Sequence, residues 1–118
     1  MTNENTSRGR IEISPNAIAA IAYQAAIETY GVVGLASRNL ADGLANALVR
    51  DPRHGVDVSA EGEEVTIDIY VVIEYGTRIA SVANSVSHSV RFHVEKATGL
   101  PVKAVNVHVQ GLRVSDSV

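Results

Sequence analysis

The side chains with the most chemistry to offer are four histidines, His54, His88, His93 and His108. His88 and His93 fall in one long helical pattern, five residues apart. At about 100° per residue that gap sets them about 140° apart around the axis. Two helix ligands for one ion need a spacing of three or four, so this pair cannot grip a metal. His54 falls in a loop and His108 on a strand, and all four are read as ordinary surface histidines. The stretch Asn84-Ser85-Val86-Ser87-His88-Ser89-Val90 sets serines beside a histidine. A serine nucleophile needs a base within hydrogen-bond reach, an orienting acid and oxyanion donors. Neighbouring positions on a helix point in different directions, so these residues read as a polar helix face rather than a catalytic group.

Three further patterns bear on function. Gly31-Val32-Val33-Gly34 has the form of the loop with which KH domains clamp a nucleic-acid backbone, but its middle pair is apolar. Arg38, Arg50 and Arg53 follow it, so a KH-like nucleic-acid module built on that bend and those arginines is the alternative reading. Net charge is −3 with only two lysines, Lys96 and Lys103, which disfavours nucleic acid, because phosphate neutralisation supplies most of such affinity. No dinucleotide or phosphate-loop fingerprint occurs. Glu63-Glu64 sits where a turn is expected and reads as solvated charge. No catalytic residue, cofactor site or metal site is therefore expected, and no small-molecule substrate.

The elements that must position these residues follow from periodicity. Glu64 to Tyr75 reads EVTIDIYVVIEY, with Val65, Ile67, Ile69, Val71 and Ile73 on alternate positions. Successive strand side chains point to opposite faces, so this is a half-buried strand around which the chain is organised. Val56 to Ala60 alternates likewise and joins it through a turn at Ala60-Glu61-Gly62-Glu63. Val105, Val107 and Val109 alternate with Asn106, His108 and Gln110 in a last strand. Ser14-Pro15 opens a helix expected to reach Tyr30, with Ile18, Ile21, Ala22 and Ala25 buried and Gly31 as its stop. A second long helix is expected from Thr77, its cap, to Thr98. Its stripe is Ile79, Val82, Ala83, Val86, Val90, Val94 and Ala97, and Gly99 and Pro101 end it. A short strand over Arg10 to Ile13 and a short helix over Leu40 to Val49 complete the reading.

The fold class is thus α+β: one mixed sheet, in the order strand, helix, strand, strand, helix, strand, with both long helices on one face. One domain spans residues 10–114, between a disordered tail at 1–9 and a second tail at 115–118. Hydrophobic content of 46% against 19% charged residues fits a globular domain. The absence of cysteine excludes disulfides and zinc–thiolate sites. The opening residues lack the apolar segment of a secretory signal, and no apolar run approaches the roughly 20 residues of a membrane span, so a cytoplasmic protein is expected.

The face away from the helices carries Asp57, Ser59, Thr66, Asp68, Tyr70, Val72, Asn106, His108 and Gln110, almost without lysine or arginine. Tyr70, Val72, Asn106 and His108 are the first candidates for a contact surface. Ser81, Ser85 and His88 come second, because small polar residues there replace the lysine and glutamate usual on a solvated helix. Tyr70→Glu and Val72→Lys are both expected to keep the fold and to reduce oligomer size.

The order of motifs resembles the bacterial alkaline shock protein family, the Gls-type envelope stress response proteins, in its short form. The resemblance rests on Val72-Ile73-Glu74-Tyr75-Gly76, on Thr98-Gly99-Leu100, and on Val105-Asn106-Val107-His108-Val109 followed by Gly111. It covers about Gly9 to Val114. It implies a small, non-enzymatic α+β protein of the envelope stress response. Such a protein works as a scaffold, through self-association and protein partners, and some members sit beneath the membrane through a membrane-bound partner. It implies no catalytic residues. The second long helix departs from the lysine- and glutamate-rich pattern of the family.

Overall fold

The computed structural model describes residues 13–37, 48–49 and 51–114. Both expected tails, the strand over Arg10 to Ile13 up to residue 12, and most of the helix over Leu40 to Val49 lie outside the described residues. In chain order the elements are α1 (Pro15–Ile27), β1 (Val32–Ala36), β2 (Leu48–Val49), α2 (Pro52–Gly55), β3 (Val56–Glu61), β4 (Glu64–Glu74), α3 (Ile79–Thr98) and β5 (Val102–Arg113).

β4 is the centre of one five-stranded mixed sheet. Along one edge it pairs antiparallel with β3 over its first half and with β1 near its end, and β2 extends β1. Along its other edge it pairs with β5 in parallel, from Val65↔Val102 to Glu74↔Arg113. A parallel partner needs a crossover, and α3 supplies it. Register shifts occur in β1 between Val32 and Gly34, and in the β4–β5 ladder between Val65 and Thr66 and between Val71 and Val72.

The alternation of β4 has the expected consequence. Val65, Ile67, Ile69, Val71 and Ile73 are buried in one cluster with Ile18, Ala22, Ala25 and Ala26 of α1 and Val82, Val86, Val90 and Val94 of α3. Both long helices therefore cover the same face. Full burial of a side chain such as Ile67 or Ile69 is worth about 1.5–3 kcal/mol. Ala22 and Ala26 have no exposed surface, and their small side chains let α1 lie close against α3. The valines of α3 recur every four residues and form a single ridge.

The helix ends depart slightly from expectation. Ser14 caps α1, its Oγ accepting from the Ala17 N–H at 3.1 Å, but the helix stops at Ile27 rather than Tyr30. The Thr29 hydroxyl donates to the Ala25 carbonyl at 3.0 Å and closes that end. Thr77 is not the cap of α3. Its hydroxyl donates to the Glu74 carbonyl at 2.7 Å, in the turn, and Arg78 takes the cap position. Gly99 ends α3 as expected, in the left-handed region at φ +76°, where a Cβ is disfavoured. Ile79, 43% exposed, and Ala97, also exposed, fall outside the buried stripe, which runs from Val82 to Val94. Leu48 and Val49 are strand rather than helix, since pairing to β1 supplies hydrogen bonds that a marginal helix would have to make alone.

Candidate functional site

The face away from the helices divides into two halves. In the half toward β3 and β5, the ladders set Asp57, Asp68 and Asn106 in one row across three strands, with Tyr70 opposite His108 in the next. Asp68 Oδ1 accepts from His108 Nε2 at 2.9 Å and from Asn106 Nδ2 at 3.1 Å. The Tyr70 and His108 rings are stacked, with centroids 4.6 Å apart and planes 13° from parallel. That separation is close to the spacing of neighbouring strands, so the stack comes directly from the ladder. Asn106 and His108 are exposed and Tyr70 is half-buried. Three of the four first candidates are thus brought together, and Asp68 is the residue that joins them.

The fourth is corrected. Val72 has no exposed surface. Its neighbours across the ladders are Gly34 of β1 and Gly111 of β5. Beside it, Leu48 of β2 leans over Gly34, with its Cδ1 3.0 Å from where a Cβ would stand. Ala36, on the same strand as Gly34, is also fully buried. Because this half of the face is sealed, Val72→Lys does not test a docking surface.

The second candidate group separates as well. Ser81 and Ser85 line a cleft of about 360 Å3 between the end of α1 and the start of α3, with Thr29, Tyr30, Thr77 and Arg78. His88 stands exposed farther along α3 and does not line it. In the polar helix face, His93 Nδ1 lies 2.8 Å from the Ser89 carbonyl, closer than the 3.4 Å to the Ser89 hydroxyl. A ring nitrogen facing a carbonyl carries the hydrogen, so it cannot act as base toward Ser89. Among the described residues no three histidine, cysteine, aspartate or glutamate side chains gather to hold a metal ion.

Of the Gly31 to Gly34 bend, only Gly31 remains a turn, at φ +96°, while Val32 and Gly34 belong to β1 and pair with Ile73 and Val72. Arg38, Arg50 and the Arg53 side chain lie outside the described residues.

One surface has no counterpart in the sequence reading. Tyr30, Tyr75, Ile79, Leu112 and Val114 are large apolar side chains exposed at one end of the domain. They are held there by the Glu74 N–H to Gly31 carbonyl and Tyr75 N–H to Arg113 carbonyl bonds, both 2.8 Å. A tyrosine directly before each of Gly31 and Gly76 is the available signal. The register shift in β5, which places Leu112 opposite Ile73, leaves none.

The sequence model of the alkaline shock protein 23 family, described as having a cell envelope-related function, matches residues 3–114. The chain is 43% identical over 113 residues to YloU of Bacillus subtilis (strain 168), covering 94% of each chain. It is 35% identical to Spy1614 of Streptococcus pyogenes serotype M6, covering 93% of each. A stress response regulator gls24 homolog of Streptococcus pyogenes serotype M3 is 31% identical over 86 residues, which are 73% of this chain and 47% of that protein. Among solved structures, MamM CTD in a zinc form matches with a TM-score of 0.52 at 12% identity, over 86% of this chain and 90% of that one. At that identity the likeness is one of fold. No helix among the described residues is long and apolar enough to cross a membrane.

Proposed function

Because the chain belongs to the alkaline shock protein 23 family, whose function is cell envelope-related, we propose that it acts by binding rather than by catalysis. It works as a scaffold that associates with copies of itself and with protein partners, and a membrane-bound partner holds it at the cytoplasmic face of the membrane. The docking surface is the open half of the sheet face. One observation carries this reading: Asp68, Tyr70, Asn106 and His108 from two adjacent strands form a bonded, flat, polar and aromatic patch at the surface. Hydrogen bonds to the Asp68 carboxylate and the ring stack fix these side chains in advance, which reduces the entropy lost when a partner covers them. Tyrosine in such a place offers large contact area for few rotatable bonds.

Light scattering across a concentration series tests the proposal. The wild-type mass rises with concentration, and Tyr70→Glu shifts that rise to higher concentration while leaving the circular dichroism spectrum unchanged. Superimposable curves for the two proteins would remove the sheet face from the account.

A further inference from the structure

We infer that the open half of the sheet face is a seat for an arginine side chain presented by another protein. This rests on the docking reading above and adds the chemistry of what docks. Tyr70 and His108 stack ring to ring across adjacent strands. β5 is bonded to β4 along one edge, and among the described residues no strand pairs with its other edge. The ring face of His108 turned away from Tyr70 is therefore on the side of that open edge.

Acceptors surround the stack. Asp68 uses a single oxygen, Oδ1, for both His108 and Asn106, and Oδ2 makes no hydrogen bond among the described residues. Asn106, having donated through Nδ2, keeps its amide oxygen as an acceptor. Two cations near the start of β5 are engaged elsewhere. The Lys103 ammonium is 4.0 Å from Glu61, and the Arg91 guanidinium donates to the Val102 carbonyl from the helix side. The patch thus presents a ring face, a carboxylate oxygen and an amide oxygen, and among the described residues no lysine or arginine is bonded to them.

A guanidinium fits this set better than an ammonium. It is planar and delocalised, so it stacks flat on a ring as the next layer; its charge is attracted by the Asp68 carboxylate one strand away, and its N–H fork is free to donate to the Asn106 amide oxygen on β5. An ammonium satisfies the carboxylate but gains little from the flat stack.

The test is a titration of the isotope-labelled full chain, followed by amide NMR shifts, with a five-residue capped peptide Gly-Gly-Xaa-Gly-Gly. Xaa is arginine, lysine or the neutral isostere citrulline. With arginine, saturable shifts are expected around Asp68, Tyr70, Asn106 and His108, at an affinity about threefold above that for lysine, because the planar fork stacks and loses less freedom for each hydrogen bond it forms. Citrulline leaves the spectrum unchanged. Asp68→Asn, which keeps an acceptor for His108, reduces arginine affinity at least about threefold, and its own spectrum reports that it is folded. Equal affinity for arginine and lysine, unaltered binding by Asp68→Asn, or shifts concentrated at Glu61, Glu63 and Glu64 would overturn the inference. If Tyr70→Glu disrupts assembly but wild type ignores the arginine peptide, docking at the face stands and the arginine seat falls. If the peptide binds as described while assembly is indifferent to Tyr70→Glu, the seat stands and self-association through this face falls.

Discussion

Val72 and Tyr70 are two residues apart on β4, on the same face, yet one is sealed and the other half-open. At Val72, β4 has β1 on one side and β5 on the other, and β2 carries Leu48 over the neighbouring Gly34. At Tyr70, β4 lies between the end of its pairing with β3, at Ile69, and the start of its pairing with β1, at Val71. There Tyr70 stacks on His108, and Asp68 in the neighbouring row accepts from both His108 and Asn106. The difference teaches that a strand's alternation chooses a side, whereas exposure on that side depends on what other segments bring over it.

The largest expected effect tests the sealed half. Val72→Lys places a charge at a position with no exposed surface, so a loss of about 3 kcal/mol or more is expected in urea unfolding. Retention of wild-type stability would show that this half opens readily, and the contrast with Tyr70 would collapse. Gly34→Ala is a gentler probe of the same cover. The added Cβ meets the end of the Leu48 side chain, which can move, so a loss of about 1 kcal/mol or less is expected. A loss several times larger would mean that β2 is held rigidly over β1.

On the open half, Tyr70→Glu is expected to change stability by about 0.5 kcal/mol while shifting assembly, because a half-exposed ring gives up little burial. Smallest of all, Asp68→Asn is expected to change the unfolding free energy by only a few tenths of a kcal/mol, since its bonds to His108 and Asn106 are solvent-exposed. A cost above about 2 kcal/mol would recast the cluster as a structural brace rather than a docking patch.

Much of this arrangement is legible in the residue order. The period of two in β4, the serine–proline start of α1 and the valine ridge of α3 are local patterns, and each forms the element it announces. Less of the candidate site is legible. Tyr70, Asn106 and His108 are recognisable as outward-facing, but only the parallel register sets His108 beside Tyr70, and Asn106 beside Asp68. That register also reveals Asp68 as the joining residue. Val72 reads as exposed because its period matches that of Tyr70, and period carries no information about a neighbouring strand.

The sequence alone determined the class of fold, the side of the sheet that faces the helices, and the family, because alternation, helix spacing and glycine stops act over a few residues. Tertiary structure decided which outward-facing residues meet solvent, which carboxylate anchors the Tyr70–His108 stack, and how the register shift in β5 brings Leu112 opposite Ile73. Those outcomes depend on strands brought together from distant parts of the chain, Asp68 and His108 being forty residues apart. Register across such a gap is set by the packing of the whole sheet against its helices, not by any local preference.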